Sequence, residues 1–389
     1  MNFQLNEEQK MVQATARKVA REKIAPRAQE IDQSGEYPGD IFQVYKELGL
    51  LGLVIPEEYG GSGIGNLALA LAVEEICKYE AASGLILLLT ALPTYPLIMA
   101  GTEEQKEYYL SRMASGEYKG CFSITEPGAG SDAAAITTSA VLQGDEYILN
   151  GEKCFISSSA VADFAIIFAK TDPKAGARGI SAFVVPTKSP GFSVGRMDKK
   201  MGMHGVPTAQ LLMQDCRIPA DALIGEENGG FRTAMLTLNA MRAIVGARGL
   251  GVAEGAMQYA VEYTRNRHAF GKRLCDLEAI QFMIADMAMQ IEAARLLVYQ
   301  ASWMVDRDQY TKEYASIFAM AKCFATEMAV KVVSDALQLM GAYGYMEDCP
   351  IERMYRDARQ LLIVEGTSQI QRINISRGVI NRDIDYYCY

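Results

Sequence analysis

The sequence predicts an α+β multidomain fold in which helical segments flank a central β domain. Apolar residues recur at three- and four-residue steps up to about residue 119 and again from about 231, as in amphipathic helices. Between these segments the period shortens to two, which is typical of strands. We therefore expect an N-terminal helical domain at 1–119, a central antiparallel β-barrel or sandwich at 120–230, and a C-terminal four-helix-bundle domain at 231–389.

The N-terminal domain is predicted to begin with a helix at Glu7 that Asn6 caps, because the side-chain oxygen of Asn accepts a hydrogen bond from the first turn. The glycine-rich stretch 59–65 predicts a loop. Helix resumes at 67–79 and after Thr102.

The central domain is predicted to contain short strands that follow one another closely. Glycine turns at Gly144-Asp145 and Asn150-Gly151 are typical of hairpins. Strands joined by such turns indicate an antiparallel arrangement. The candidate strands are 120–125, 136–142, 146–150, 153–157, 163–169, 180–185 and 209–214.

The C-terminal domain is predicted to be an up-and-down bundle with long helices at 235–263, 280–305 and 315–340. Gly341 is expected to end the last of these. The run 249–255 resembles a dinucleotide-binding glycine fingerprint, but no strand precedes it. Its small residues are better explained by close packing between helices.

Composition excludes several classes of function. The net charge of −9 argues against a general nucleic-acid binder, which needs a basic surface. Only two histidines, His204 and His268, are present, so a Ser-His-Asp hydrolase or a multi-histidine metal site is not expected. None of the eight cysteines forms a C-x-x-C pair, which indicates reduced thiols rather than a zinc or redox motif.

We expect a cytoplasmic protein without a membrane span. The first ten residues are acidic and lack the apolar core of a secretory leader. The most apolar stretch, 85–92, is shorter than the roughly 20 residues that cross a bilayer.

Glu365 is the most informative single residue. It follows the apolar run 361–364 and precedes Gly366-Thr367, so its carboxylate is expected to be poorly solvated. Desolvation raises the pKa of a carboxyl group and makes it a better base near neutral pH. An ordinary glutamate at a helix N-terminus would fit the same local pattern.

Four motifs in order resemble the acyl-CoA dehydrogenase family over essentially the whole chain. They are GCFSITEPGAGSD at 120–132, NGEK at 150–153, RHAFGK at 267–272 and VEGTSQIQR at 364–372. The resemblance implies FAD-dependent α,β-dehydrogenation of an acyl-CoA thioester to the 2-enoyl-CoA. It implies that Glu365 abstracts the α-proton and that the flavin takes the β-hydride. Some family members place the base elsewhere, at a position matched here by Met241, which cannot accept a proton.

The resemblance also implies the cofactor site. Thr125 is expected near the reactive flavin nitrogen, and Phe155 is expected to form an aromatic wall. Arg267, Phe270 and Gln338 would come from a neighbouring subunit, which implies a homo-oligomer, predicted to be a tetramer. The residues implied to bind FAD are Phe122, Ile124, Thr125, Phe155, Ser157, Arg267, Phe270, Gln338, Gly341, Thr367 and Gln369.

The implied substrate-binding residues are Ser131, Leu238, Asn239, Arg242, Val364 and Gly366. At some positions this sequence departs from the family pattern. Asn239 stands where the family commonly has a carboxylate, and Val364 stands where it commonly has tyrosine. The family also usually has other residues at the positions of His204, Val206 and Glu278. Electron-transfer flavoprotein is the implied electron acceptor. An oxidase, a dehydrogenase of carrier-protein-bound acyl groups, and a noncatalytic or nucleic-acid-binding relative remain as alternatives.

Overall fold

The computed structural model describes residues 4–381, with helices at both ends and a sheet between them. Cys388 and the last residues of the predicted C-terminal domain lie outside this part of the chain. As predicted, the first helix begins at Glu7, and Asn6 and Gln9 form a reciprocal capping box. The N-terminal helices are α1 (Glu7–Val19), α2 (Ala28–Ser34), α3 (Gly39–Glu47), α4 (Asn66–Cys77), α5 (Ala81–Ala91), α6 (Thr94–Ala100), α7 (Glu103–Gln105) and α8 (Ser111–Ala114).

The central segment forms one eight-stranded sheet in the order β6-β7-β3-β2-β4-β5-β8, with β1 paired to β4. The sheet is mixed, because β4 runs parallel to both β1 and β2. The expectation of a purely antiparallel sheet was therefore wrong at these two pairs. The strands are β1 (Gly120–Ser123), β2 (Ser139–Gln143), β3 (Glu146–Ser157), β4 (Phe164–Lys170), β5 (Ile180–Pro186), β6 (Phe192–Met197), β7 (Thr208–Pro219) and β8 (Leu223–Ile224).

The Asn150-Gly151 pair does not form the predicted hairpin turn. It lies inside β3, whose register with β7 shifts between Leu149 and Gly151. Gly151 has a φ of 151°, and a Cβ there would lie 2.5 Å from Oγ1 of Thr138. Glycine therefore permits a bulge in a continuous strand, a role that the sequence pattern alone does not distinguish from a turn.

The C-terminal segment contains three long helices and two shorter ones. The helix α11 packs against all four of the others and ends at Gly341, as predicted. A short β-hairpin follows α9. These elements are α9 (Gly230–Asn266), β9 (His268–Ala269), β10 (Lys272–Arg273), α10 (Glu278–Val305), α11 (Ala315–Met340), α12 (Pro350–Leu361) and α13 (Ser368–Asn381).

One hydrophobic core joins the N-terminal helices to the C-terminal ones, and a second core lies in the sheet. Phe122 of β1 packs against both cores, which places this strand between the sheet and the helices. Because the first and third segments share a core, the division of the chain at residues 119 and 230 stays a prediction.

The glycines of α9 are explained by close packing. A Cβ on Gly251 would lie 2.3 Å from the carbonyl oxygen of Glu74, and one on Gly255 would lie 2.1 Å from that of Lys78. Both positions lie inside a continuous helix that contacts α4. The fingerprint-like run is thus a helix–helix contact.

The stretch Ala81–Ala100 is 20 residues long and apolar enough to cross a membrane by length and composition alone. It extends on both sides of the most apolar stretch, 85–92. Within the fold, 89% of its most hydrophobic window is buried. A helix that is apolar on every side belongs either in a protein core or in a bilayer, and here the protein itself covers it.

Candidate active site

Glu365 lies in the turn between α12 and α13, with a φ of 52°. Few residues other than glycine adopt this conformation, which costs about 1–3 kcal/mol and persists only where the surroundings hold it. The carboxylate is half-buried, but its Oε2 is closed to solvent and has no hydrogen-bond partner among the described residues. Burial raises the pKa of Glu365 to about 7.

Three buried cations lie around this carboxylate. Arg248, Lys322 and Arg242 each oppose the effect of burial and so limit the rise in the pKa of Glu365. Arg242 and Arg248 come from α9, and Lys322 comes from α11. The helices of the C-terminal segment therefore place a carboxylate and three positive charges in one enclosed region.

Arg242 and Asn239, two of the predicted substrate-binding residues, lie one turn apart on α9 and are both buried. Nη1 of Arg242 donates to Oδ1 of Asn239 at 2.5 Å, and Nδ2 of Asn239 donates to the carbonyl oxygen of Tyr310 at 3.1 Å. Nε of Arg242 is buried without a partner among residues 4–381. Leu238 is half-buried beside them, and Met241 is fully buried in the core.

The structure brings the predicted flavin residues of the sheet together. The N–H of Cys154 donates to the carbonyl oxygen of Thr125 at 3.0 Å, so the end of β1 lies against β3. Phe155 has a φ of 59° and lies where the register of β3 with β7 shifts. This bulge leaves the ring 66% exposed. Phe122 is half-buried in β1 and pairs with Ile166 of β4, Ile124 is buried just after β1, and Ser157 is the last residue of β3.

Ser131 is exposed in the loop that follows Thr125, and a buried ion pair anchors this loop. Nζ of Lys153 lies 2.8 Å from Oε1 of Glu126 and also donates to the carbonyl oxygen of Ile124. Glu126 accepts further hydrogen bonds from Thr137 and Thr138. The loop is thus tied to β3 at one end and to the start of β2 at the other.

A separate group of predicted FAD residues lies at one end of the helical segment. Arg267 follows α9 directly, and Gln338 and Gly341 lie at the end of α11. The rings of Tyr263 and Tyr343 are 6.0 Å apart and join these two ends. All four predicted residues are exposed, and Phe270 is 92% exposed with a φ of 53°.

The remaining predicted residues follow the Glu365 turn. Val364 is half-buried and packs against the helical core. Gly366 has a φ of 94°. Oγ1 of Thr367 accepts from the N–H of Ile370 at the start of α13, and Gln369 is exposed.

Sequence reasoning missed four residues that support this site. Lys322 and Gln371 hydrogen-bond the carbonyl oxygen of Gly366 at 2.9 Å each. Arg248 donates to Gln360 of α12 at 2.9 Å, and Lys153 pairs with Glu126. For Lys322 and Arg248 the available signal was a cation within an otherwise apolar helix, since such residues are rarely buried without a partner.

Three models of the acyl-CoA dehydrogenase family match the chain: the N-terminal domain at residues 6–117, the middle domain at 121–216 and the C-terminal domain at 228–380. Together they cover most of the chain in the order that the fold shows.

Individual relatives agree. The chain is 46% identical to an acryloyl-CoA reductase (NADH) of Anaerotignum propionicum over 98% of this chain and 97% of that protein. It is 42% identical to the caffeyl-CoA reductase–Etf complex subunit CarC of Acetobacterium woodii, over 97% of this chain and 99% of that protein. The solved structure of butyryl-CoA dehydrogenase from Megasphaera elsdenii superimposes with a TM-score of 0.95 at 39% identity, covering 98% of this chain and all of that one.

The family models, the full-length relatives and the shared fold lead to one conclusion: the chain belongs to the acyl-CoA dehydrogenase family of FAD-dependent oxidoreductases.

Proposed function

We propose that this protein dehydrogenates an acyl-CoA thioester to the 2-enoyl-CoA and that Glu365 removes the α-proton. The observation that carries the proposal is the environment of this carboxylate, whose Oε2 is buried without a partner in the described chain and whose pKa is raised to about 7. Such a carboxylate is a stronger base than an exposed one yet is still largely deprotonated just above neutral pH. Bleaching of the bound flavin by acyl-CoA in the wild type, and its loss in Glu365→Gln, tests the proposal.

Donors for the thioester carbonyl are available at the same turn. Within residues 4–381 the backbone N–H of Glu365 makes no hydrogen bond, and the family resemblance assigns it to this carbonyl. Negative charge develops on the carbonyl oxygen as the α-proton leaves, so a donor held there stabilises the transition state. The buried Nε of Arg242 and the exposed Ser131 would contact the CoA moiety.

The residues present fit FAD. An aromatic ring held 66% exposed by a strained bulge, as at Phe155, is stabilised by a ligand that stacks against it. Phe122, Ile124, Thr125 and Ser157 would surround the flavin, while Thr367 and Gln369 would contact the adenosine side. When bound, FAD accepts the hydride that leaves the β-carbon. The protein supplies the orientation of the substrate and the base.

A homo-oligomer, which we propose to be a tetramer, would complete this site. Arg267, Phe270 and Gln338 are exposed at one end of the helical segment, where a second subunit could contribute its flavin. Exposed apolar residues recur every seven positions along α10, at Phe282, Met289, Leu296 and Trp303. Exposed apolar patches of this kind mark interfaces. Leu296→Glu should reduce the assembly in sedimentation analysis, whereas Met11→Glu, at an exposed methionine of α1, should not.

Electron-transfer flavoprotein is the electron acceptor that we propose, in the cytoplasm. The relative from Acetobacterium woodii is named as a subunit of a complex with that protein. Electron-transfer flavoprotein should reoxidise the reduced enzyme much faster than oxygen does. Rapid oxygen consumption would instead support the oxidase alternative.

The reverse reaction is a second candidate. Two relatives that match nearly the whole chain are named reductases. With a pKa of about 7, Glu365 carries a proton on a substantial fraction of molecules at neutral pH and could deliver it to the α-carbon of an enoyl-CoA. Rates measured in both directions with the same acyl pair would assign the direction.

A further inference from the structure

Lys322 lies within the first half of α11 and is 0% exposed. A buried ammonium group is unfavourable unless polar partners replace its water. Its Nζ donates to the carbonyl oxygen of Gly366 at 2.9 Å. The lysine therefore reaches from the long helix to the residue directly after Glu365.

A second side chain binds the same turn. Nε2 of Gln371, on α13, donates to the carbonyl oxygen of Glu365 at 3.1 Å and to that of Gly366 at 2.9 Å. Glu365 and Gly366 both have positive φ values, of 52° and 94°. A turn in this conformation is retained only when its surroundings fix it, and here two buried side chains bind its two carbonyl groups.

The charge of Lys322 also acts on the carboxylate. Glu365 is faced by Arg242 and Arg248 from α9 and by Lys322 from α11. Each cation lowers the pKa that burial raises. Burial lowers the pKa of Lys322 itself to about 8, and Glu365 opposes this shift, so the ammonium is charged at neutral pH.

We propose that Lys322 is a positioning residue for the catalytic base: by binding the Gly366 carbonyl it fixes the Glu365–Gly366 turn and aims the Glu365 carboxylate at the α-carbon. Lys322 itself would not touch the substrate. The inference rests on the proposed function, because it requires Glu365 to be the base.

The test compares Lys322→Met, which keeps the length of the side chain, with Lys322→Gln, which keeps a donor without the charge. Lys331→Met is the matched control, since Lys331 is exposed on the same helix and pairs with Asp335. Flavin content, thermal unfolding and the rate of flavin reduction by acyl-CoA are measured for the purified holoenzyme across pH. Glu365→Gln is measured alongside as the reference for the proposed function.

Lys322→Met should slow flavin reduction by about 10²-fold, as small displacements of catalytic groups do, with little change in KM. The rising limb of its pH profile should move to higher pH, because one cation that lowers the pKa of Glu365 is gone. Lys322→Gln should recover part of the rate, and Lys331→Met should match wild type.

Unchanged rate and pH profile in Lys322→Met, with Glu365→Gln inactive, would overturn this inference alone. Activity in Glu365→Gln would overturn the proposed function itself. If both Lys322 variants lose flavin or cooperative unfolding, Lys322 serves folding rather than positioning, and the inference is also overturned.

Discussion

The ammonium of Lys153 and the carboxylate of Glu126 form an ion pair at 2.8 Å that is closed to solvent, the two side chains being 0% and 4% exposed. Burial alone would raise the pKa of Glu126. The charge and hydrogen bond of Lys153, with hydrogen bonds from Thr138 and Thr137, outweigh burial and lower that pKa to about 2. Glu126 follows Thr125 directly, and Lys153, two residues before Phe155, also donates to the carbonyl oxygen of Ile124, so the pair ties together two segments of the proposed flavin site.

Lys153→Met should destabilise the protein by about 3–5 kcal/mol, because it leaves Glu126 buried without its counter-charge. Chemical denaturation of the holoenzyme measures the loss, and flavin content should fall with it. Lys188→Met, at an exposed lysine after β5, is the control and should change the unfolding free energy little. A further Glu126→Gln substitution should restore part of the stability lost in Lys153→Met; no recovery would contradict the ion-pair account.

Glu365→Gln should retain FAD and bind acyl-CoA but reduce its flavin about 10²–10⁴-fold more slowly, since it removes the base. Stopped-flow absorbance under anaerobic conditions follows the bleaching. Glu313→Gln, at an exposed glutamate before α11, should behave as wild type. Reduction of the Glu365→Gln flavin at a near wild-type rate would show that another group takes the proton.

Flavin reduction should accelerate as pH rises through about 7, because burial raises the pKa of Glu365 to that value and only the carboxylate accepts the proton. Stability should change in the opposite direction. Between pH 4.5, the ordinary value, and about 7 the folded state binds more protons at this site than the unfolded state, so the free energy of unfolding falls as pH rises. The thermal stability of Glu365→Gln should therefore increase relative to that of wild type as pH rises. A difference in thermal stability that does not change with pH would argue against the raised pKa.

Arg267→Ala should lower both the FAD content and the stability of the oligomer, because a cofactor shared between subunits links FAD binding to subunit association. Size-exclusion chromatography with absorbance detection measures both at once. Arg265→Ala is a close control, since Arg265 is exposed only two residues away and pairs with Glu262. A monomer with full FAD occupancy would exclude the shared site.

Val364→Tyr should shift kcat/KM from branched or cyclic toward linear acyl-CoA. Val364 is half-buried beside Glu365, and the family often has tyrosine there, so valine leaves room next to the reacting carbons. A pocket discriminates by about 1–3 kcal/mol per methylene, which corresponds to a measurable change in ranking. The kcat/KM values for a panel of straight, branched and cyclic acyl-CoAs give the substrate ranking. If wild type prefers linear substrates and Val364→Tyr leaves that ranking unchanged, the wider pocket is refuted.

Much of the fold could be predicted because helix caps and periodicity are local. The Asn6 cap and the bounds of α11 needed only neighbouring residues. The parallel pairing of β4 with β1 and β2 depends on chain paths that no local pattern records. The bulge at Gly151 also escaped prediction, because Asn-Gly suits a turn and a positive-φ bulge equally.

The candidate site, like the fold, contains residues that could be predicted from local sequence and residues that could not. Glu365 could be singled out from its apolar neighbours and from the family motif. The residues that hold it, Lys322 and Gln371, could not, because Lys322 lies 44 positions away from Gly366 in the chain and only packing of α11 and α13 against the turn reveals the contact. Whether the predicted FAD and substrate residues bind as proposed stays a prediction that the variants above test.

The buried run Ala81–Ala100 constrains how the chain reaches its native state during synthesis. The helix α9, which helps to enclose this run, begins at Gly230, 130 residues later. At roughly 5–20 residues per second, ribosomes need on the order of 10 s to make that interval. During this interval, the apolar segment Ala81–Ala100 lacks the contacts that α9 provides in the folded protein. The N-terminal helices therefore cannot complete their core until α9 has been synthesised.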